Sequence, residues 1–427
     1  MDQSGSFNSL DDWLPWLETL SPREIVLGLD RVDEVLERLE LARPSLVISI
    51  AGTNGKGSSA AMLEALLASG GAKTGCYTSP HIGRYNERIR IDGKPASDEV
   101  IVKALALVEA VRGDVPLTFF EFGTIAALVV FDSANVDAWV LEVGLGGRLD
   151  AVNAIEPDAS LITNVSLDHC AWLGDNIEAI ATEKAGIMRS GKTTVFGSAD
   201  LPSAIPTTAA TLGAELRVAG KDFSFVECED NSGRWSWQGR RLTLTGLARP
   251  ALPGKIQLEN ASAVLSVLES LEMDHLLTPD VVSRALSALT LEGRFQIVDD
   301  KCRWILDVAH NPGAASVLAG LLGEHQKGGQ TTAIVGMLAD KDIEGVITPL
   351  CGMVDNWISV TVAGARAESA HRLGGIIASA CQKPCLIADS MTDALEMAES
   401  ASSAEDTVLV TGSFYLVGPA LDWLRHR

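Results

Sequence analysis

Positive charge is what this chain most lacks. Its 34 lysines and arginines stand against 56 aspartates and glutamates, for a formal net charge of −22. A surface that acidic argues against DNA or RNA as a partner, and it repels nucleoside triphosphates unless a site is locally basic or carries metal. Zinc-binding spacing is also missing. The seven cysteines (Cys76, Cys170, Cys228, Cys302, Cys351, Cys381 and Cys385) are scattered, and the one close pair, Cys381 and Cys385, has no second pair or histidine spacing beside it. Reduced thiols in the cytoplasm are therefore the expectation. Met1–Asp12 is polar and acidic, without a basic segment leading into an apolar run, so no signal peptide is expected. The apolar run Ile125–Phe131 is too short to cross a bilayer, and no membrane partner is expected. The chain also shows no long repeat, heptad array or low-complexity tract.

What is present reads as globular. At 427 residues, 47% of them apolar and 21% charged, the chain is long enough for two or three domains. Its most informative stretch is Ala51-Gly52-Thr53-Asn54-Gly55-Lys56-Gly57-Ser58, between the apolar strand pattern Leu46–Ile50 and the helical pattern Ser59–Ser69. A glycine-rich turn from strand to helix offers free backbone N–H groups and a positive helix end to phosphate, which Thr53, Asn54, Gly55 and Gly57 would line. Lys56 adds a point charge, and Ser58 a hydroxyl for phosphate or Mg²⁺. Compared with G-x-x-x-x-G-K-[ST], the first glycine falls at Ile50 and Gly57 separates lysine from hydroxyl. A tight turn that needs glycine only for its geometry is the structural alternative.

Further polar residues fall at strand ends, where open α/β sheets bind ligands. Residues 72–77 read as a strand running into Thr78-Ser79-Pro80-His81, with Arg84 and Arg88 beyond. Residues 138–143 read as a buried strand carrying Glu142. A lone carboxylate there needs Mg²⁺ or a salt bridge, with Arg148 the nearest candidate. Residues 160–165 read as a strand ending at Asp168 and His169, and a helix from Asn176 carries Lys184. Taken alone, His169 reads as structural and Lys184 as a surface cation. Glu121, among the phenylalanines heading an apolar helix, either caps that helix or faces a ligand. Asp30 and Arg31 read as a solvated pair. From about Val195 the pattern loosens into alternating strand character over 220–247, and Asn260 either caps the following helix or contacts a base. After Leu291–Gln296 a βα alternation begins, with strands at 304–308, 331–336, 357–362, 384–387 and 407–411, as in a mostly parallel sheet. Its loops hold Asp307–Pro312 and Thr411–Tyr415.

Gly52–Ser58, Ser79-Pro80-His81, Glu142–Asp150, Leu167-Asp168-His169, Glu183–Ile187 and Asp307–Pro312 together resemble the folylpolyglutamate synthase and dihydrofolate synthase family, a branch of the ATP-dependent Mur-ligase superfamily. The match runs in order from about Ile25 to the C-terminus, and the glycine before Ser58 is that family's own variant. The resemblance implies an α/β fold. An N-terminal P-loop ATPase domain (1–293) would have a mostly parallel central sheet and a small β-rich region, and a smaller Rossmann-like glutamate-ligase domain (294–427) would follow. It implies ATP and two Mg²⁺ sites, with Ser79, Glu142, His169 and Lys184 at the metal positions, Lys184 as a carbamate, and room for a monovalent cation. Asn260, Arg294 and Asp307 match nucleotide contacts. Asp307, His310 and Ser413 match residues tied to glutamate or catalysis. Gly28-Leu29-Asp30-Arg31, Thr118-Phe119-Phe120-Glu121 and Leu149-Asp150-Ala151 fall where bifunctional members bind dihydropteroate.

The expected activity is an acid–amino-acid ligation. ATP over Lys56 phosphorylates a carboxylate of dihydropteroate or a reduced folate, and L-glutamate displaces the phosphate, with His310 or Asp307 orienting the amine. The partners would be these small molecules alone, and the enzyme a cytoplasmic monomer. Alternatives are a monofunctional folylpolyglutamate synthase, a Mur-type peptidoglycan ligase and a non-catalytic nucleotide-binding module. The peptidoglycan reading would need a UDP-sugar domain in the roughly 50 residues ahead of the loop.

Overall fold

A computed structural model describes residues 7–21, 26–228, 233–325 and 328–426. Residues 1–6 of the polar opening and Ile25, where the resemblance begins, lie outside the described residues. The first sheet is formed by β1 (Leu46–Ala51), β2 (Thr74–Tyr77), β3 (Ile89–Ile91), β4 (Lys94–Pro95), β5 (Ala138–Glu142), β6 (Ala159–Ile162), β7 (Thr193–Phe196) and β8 (Glu215–Val218). Its order is β4-β3-β2-β5-β1-β6-β7-β8, antiparallel only where β3 and β4 join. Helices cover both faces, so β1 and β5 are apolar almost throughout rather than alternating. Ile50 pairs with Glu142 and Ala51 with Ile162. The loop after β1 therefore leaves the sheet between the carboxyl ends of β5 and β6.

The loosened region holds more regular structure than its pattern indicated. β7, a helix at Ala204–Leu212 and β8 come first, and then β9 (Ser224–Glu227), β10 (Arg234–Gln238) and β11 (Thr243–Ala248) form an antiparallel meander. β8 is an edge strand with only Arg217 and Val218 buried, and the Thr/Ala-rich helix buries only Ile205 and Ala209, so neither shows a strong apolar period. The meander buries Trp235 and Trp237 against helix Lys255–Ser270. Gly254 is its N-cap, so Asn260 lies in the second turn and is not the cap.

The third sheet comprises β12 (Gln296–Asp299), β13 (Arg303–Asp307), β14 (Thr331–Val335), β15 (Asn356–Ser359), β16 (Cys385–Ile387) and β17 (Thr407–Thr411), ordered β12-β13-β17-β14-β15-β16. All pairings but β12–β13 are parallel. The strands expected from 304 onward are present, while β12, a short half-exposed edge, has too little periodicity to read. The expectation of reduced thiols fails at one place: Cys351 and Cys381 form a disulfide, with Cα atoms 5.0 Å apart. They are 30 residues apart, and packing of helix Ile343–Ile347 and its following turn against helix Ala370–Cys381 brings them together. Spacing along the chain does not reveal such a pair. Among the described residues no helix is long and apolar enough to cross a membrane.

Candidate active site

Gly52 and Gly55 take φ of +148° and +85°. A Cβ on Gly52 would fall 1.8 Å from Thr163 Oγ1, and one on Gly55 2.5 Å from Asn260 Oδ1. Both glycines thus serve close approach as well as the turn. The segment after β6 fixes the loop. Thr53 N donates to Asn164 O at 3.0 Å, Asn54 N to Asn164 Oδ1 at 3.1 Å, and Thr163 Oγ1 to Asn54 O at 2.6 Å. Helix Lys56–Ser69 starts at Gly55 without a side-chain cap, so its first N–H groups point out of the loop as an anion cradle. Lys56 Nζ lies over that loop, 3.2 Å from Gly52 O and 3.3 Å from Thr53 O, and Ser58 is buried in the first turn.

Glu142, at the end of β5, is 4% exposed and accepts from Ser79 N at 3.1 Å through Oε2. A Cβ on Gly57 would lie 3.6 Å from that oxygen, so the carboxylate faces the first turn of the phosphate-loop helix. Burial pushes its pKa up, against the charges of Lys56, Arg294 and Arg90. Arg148 is not its partner, since it pairs with Glu183 at 2.8 Å. His169 sits at φ +52°, and burial pulls its pKa down to about 4, leaving a neutral imidazole. Lys184 is 3% exposed, not a surface cation. Burial, with the charge of Lys56 beside it, pulls its pKa down to about 7. Ser79, Glu142 and His169 bring a hydroxyl, a carboxylate and an imidazole to the ends of β2, β5 and β6. Among the described residues no three His, Cys, Asp or Glu side chains form a metal cage. A buried carboxylate beside a phosphate cradle suits an ion that keeps water and phosphate oxygens as its other ligands, which is the habit of Mg²⁺.

The third sheet reaches this centre with side chains. Arg294 Cζ lies 5.5 Å from the Phe414 ring centre, and Nη2 is 3.8 Å from where a Gly57 Cβ would be. Asn54 and Asn311 exchange side-chain amide bonds of 2.9 and 3.2 Å. Asp168 is the hub. Oδ1 accepts from Lys341 Nζ at 2.7 Å and Oδ2 from Asn311 at 3.1 Å, with His310 Nε2 3.5 Å from Oδ2. Lys341 Nζ is also 3.5 Å from His169 Nε2. Burial alone would raise the Asp168 pKa, but His310, His169 and Lys341 outweigh it and hold the carboxyl well below the usual range. Two expected residues also brace the backbone. Asp307 accepts from Phe295 N and Ala309 N, each at 2.8 Å, and Ser413 caps helix Phe414–Arg425 by accepting from Tyr415 N at 3.2 Å.

The three stretches matched above to dihydropteroate binding also converge. Gly28 N donates to Leu149 O at 3.4 Å, Leu29 leads into helix Asp30–Leu39, and Asp30 is exposed in its first turn. Arg31 and Asp30 are not a solvated pair: Arg31 Nη2 binds Glu121 Oε1 at 2.6 Å. Glu121 Oε2 accepts from Thr118 N at 2.7 Å, closing a capping box over helix Phe119–Ser133, so it caps and faces Arg31 at once. The Phe120 ring occupies the space beside Gly144, 2.5 Å from where a Cβ would stand. Asp150 braces its own loop, accepting from Leu145 N at 2.8 Å and Val152 N at 3.0 Å ahead of Ala151, and burial pushes its pKa up to about 7.

Comparison with known proteins gives this geometry a family. A Mur ligase middle domain matches residues 50–268, and a Mur ligase glutamate ligase domain matches residues 293–414. The chain belongs to the Mur ligase family. Within the family it is 38% identical, over 98% of its length and 96% of the relative's, to the dihydrofolate synthase/folylpolyglutamate synthase of Escherichia coli (strain K12). It superposes on E. coli FolC in complex with DHPP and ADP with a TM-score of 0.93 at 38% identity, covering 100% of both chains. Superposed on a bifunctional folylpolyglutamate synthase/dihydrofolate synthase with Mn, AMPPNP and L-glutamate bound, it gives 0.90 at 40% identity and 99% of each chain.

In this Mur ligase, Lys56, Ser79, Glu142, His169, Lys184, Asn260 and Arg294 gather around one loop, and the acceptor stretches form a second cluster beside it. Lys341 was not found from sequence. It sits in a loop among other charged residues, and only the fold brings it to Asp168. Asp168 and Asn311 stood inside quoted motifs without roles. Their signal was available: an acid directly before His169 and an amide directly after His310.

Proposed function

We propose that this Mur ligase joins L-glutamate to dihydropteroate, giving dihydrofolate, and to the γ-carboxylate of reduced folates, giving polyglutamates. The observation that carries the reading is the phosphate loop with the buried Glu142 carboxylate facing its helix, in a chain alike over its whole length to dihydrofolate synthase/folylpolyglutamate synthase of E. coli. Lys56 and the N–H groups of the loop hold the triphosphate, with Asn260 and Arg294 beside it. The γ-phosphoryl group passes to an acceptor carboxylate oxygen, giving an acyl phosphate and ADP. The glutamate amine then attacks the acyl carbon and phosphate leaves. That amine must shed a proton, and His310, near Asp168, would take it. Closure of the third sheet's loops over the first keeps water from the acyl phosphate.

Ser79, Glu142 and His169 would hold two Mg²⁺, which when bound neutralise charge on the transferring group. A lysine forms a carbamate with CO₂ only as a neutral amine, and a pKa near 7 makes that form abundant at Lys184. Such a carbamate would add an anionic oxygen to the metal side. The ATP-binding unit is taken to end at residue 293 and the glutamate-ligase unit to begin at 294. A cytoplasmic monomer remains the expectation.

The test is ADP release and product formation with ATP, glutamate and either dihydropteroate or tetrahydrofolate. Turnover of both supports the bifunctional reading. Turnover of tetrahydrofolate alone leaves a folylpolyglutamate synthase, and turnover of neither removes the proposal.

A further inference from the structure

Among the described residues, one guanidinium beside the acceptor cluster has no anion. Arg88 ends the 3₁₀ turn Tyr85–Arg88, is half-buried, and donates from Nε to His81 Nδ1 at 2.8 Å. Its Cζ lies 5.5 Å from the ring centres of both Tyr85 and Phe119. Nearby arginines are matched: Arg84 with Asp98, Arg90 with Glu64, Arg31 with Glu121. Among the described residues no carboxylate pairs with Arg88. The adjacent Glu87 is turned to its own loop, accepting from the N–H groups of Ile82, Gly83 and Arg84 at 2.8, 2.9 and 2.6 Å. In a chain of net charge −22, a half-buried arginine left without an acid stands ready for an anion from outside. Two aromatic faces and the His81 bond fix its plane, leaving the terminal nitrogens as a fork for a carboxylate.

Its place indicates which carboxylate. Arg88 O accepts from Thr78 N at 2.9 Å, next to Ser79 on the phosphoryl side. Phe119, which it overlies, opens the helix of the acceptor cluster. The two acceptors differ in charge. Dihydropteroate has one carboxylate, and that one reacts. A reduced folate has two: the γ-carboxylate reacts, while the α-carboxylate enters the site unchanged and needs a counter-charge, because burying an unpaired charge is costly. We propose that Arg88 binds the α-carboxylate of the folate acceptor and so sets the selectivity between polyglutamylation and dihydrofolate formation. This rests on the function proposed above.

Steady-state kinetics with tetrahydrofolate, its α-carboxamide analogue and dihydropteroate test it, on the intact enzyme and on Arg88→Gln and Arg88→Lys. The unsubstituted enzyme is expected to use the α-amide with kcat/KM roughly ten- to a hundredfold below that of tetrahydrofolate. In Arg88→Gln that discrimination collapses, and the tetrahydrofolate-to-dihydropteroate ratio of kcat/KM falls by the same factor, chiefly through KM. Arg88→Lys restores part of both. Equal losses on the two acceptors with acid–amide discrimination intact would overturn the proposal, because Arg88 would then only hold the loop. So would an unsubstituted enzyme that treats acid and amide alike, a result readable even if Arg88→Gln does not fold. An unsubstituted enzyme inert toward all three acceptors would remove the proposed function as well, and is thereby told apart from failure of Arg88 alone.

Discussion

The two parallel sheets bring opposite kinds of loop to the site. In the first, the ends of β1 and β5 and the helix after β6 hold Lys56, Glu142 and Lys184 in a buried cluster with few protein partners. Burial raises the Glu142 pKa and lowers that of Lys184. In the third, Asp307 and Ser413 accept from backbone N–H groups that shape their loops, and Arg294, His310, Asn311 and Lys341 reach across. One unit holds charge it does not itself neutralise, and the other brings side chains that orient. The difference is physical: an incompletely matched buried ion is unfavourable in the free protein and becomes favourable when phosphate and metal arrive.

The largest effect should come from the first unit. Lys56→Ala removes the point charge over the phosphate cradle, and ligation with either acceptor should fall by on the order of 10³-fold or more. Undiminished ADP release would place the phosphoryl chemistry elsewhere. Next comes the contact between the units. Asp168→Ala strands Lys341, whose side chain is 8% exposed, and should cost about 3 kcal/mol of stability as well as most of the activity. Lys341→Met should slow ligation by on the order of tenfold, and adding Asp168→Ala to it should cost less stability than Asp168→Ala costs alone. Denaturant unfolding of the single and double variants measures that coupling. Additive losses would mean that the pair does not join the two units.

Lys184 gives the comparison a pH axis. Its folded pKa of about 7 lies below the ordinary 10.5, so between those values the unfolded chain holds a proton that the folded chain does not. Stability therefore rises with pH across that window, and below pH 7 both states carry the charge and the burial penalty is present in full. In bicarbonate-free buffer, Lys184→Met should be the more stable protein by about 2 kcal/mol at pH 6, with the gain fading toward pH 10. A stability difference flat in pH would show that Lys184 is solvated. The same variant should lose ligase activity.

The sequence exposed the first unit's half of this arrangement better than the second's. A phosphate loop is local, since strand, glycines, lysine and helix lie within one short stretch, and Glu142 announces itself as a lone acid in an apolar strand. The parallel sheet of the second unit was legible from its βα rhythm. Lys341 and the Cys351–Cys381 bridge were not, because each depends on packing between segments distant in the chain, which no period records. The Arg31–Glu121 pair shows a second limit. Asp30 beside Arg31 suggested a local ion pair, but helix geometry turns the neighbours to different faces, and the partner lies 90 residues on.

That pair carries the smallest predicted effect and separates structure from function in the acceptor cluster. Glu121 serves as the acceptor of a capping box and as the counter-ion of Arg31. Glutamine can still complete the box, so Glu121→Gln should leave stability within about 0.5 kcal/mol while loosening Arg31 and raising the KM for both acceptors a few-fold. Thr118→Ala removes the other half of the box and should cost about 1 kcal/mol, with the Arg31 pair intact and KM little changed. Thermal unfolding and acceptor KM, measured on both variants, should therefore move in opposite pairings. If Glu121→Gln lowers stability and leaves KM alone, the carboxylate is there for the helix, and the acceptor cluster ends at the phenylalanines.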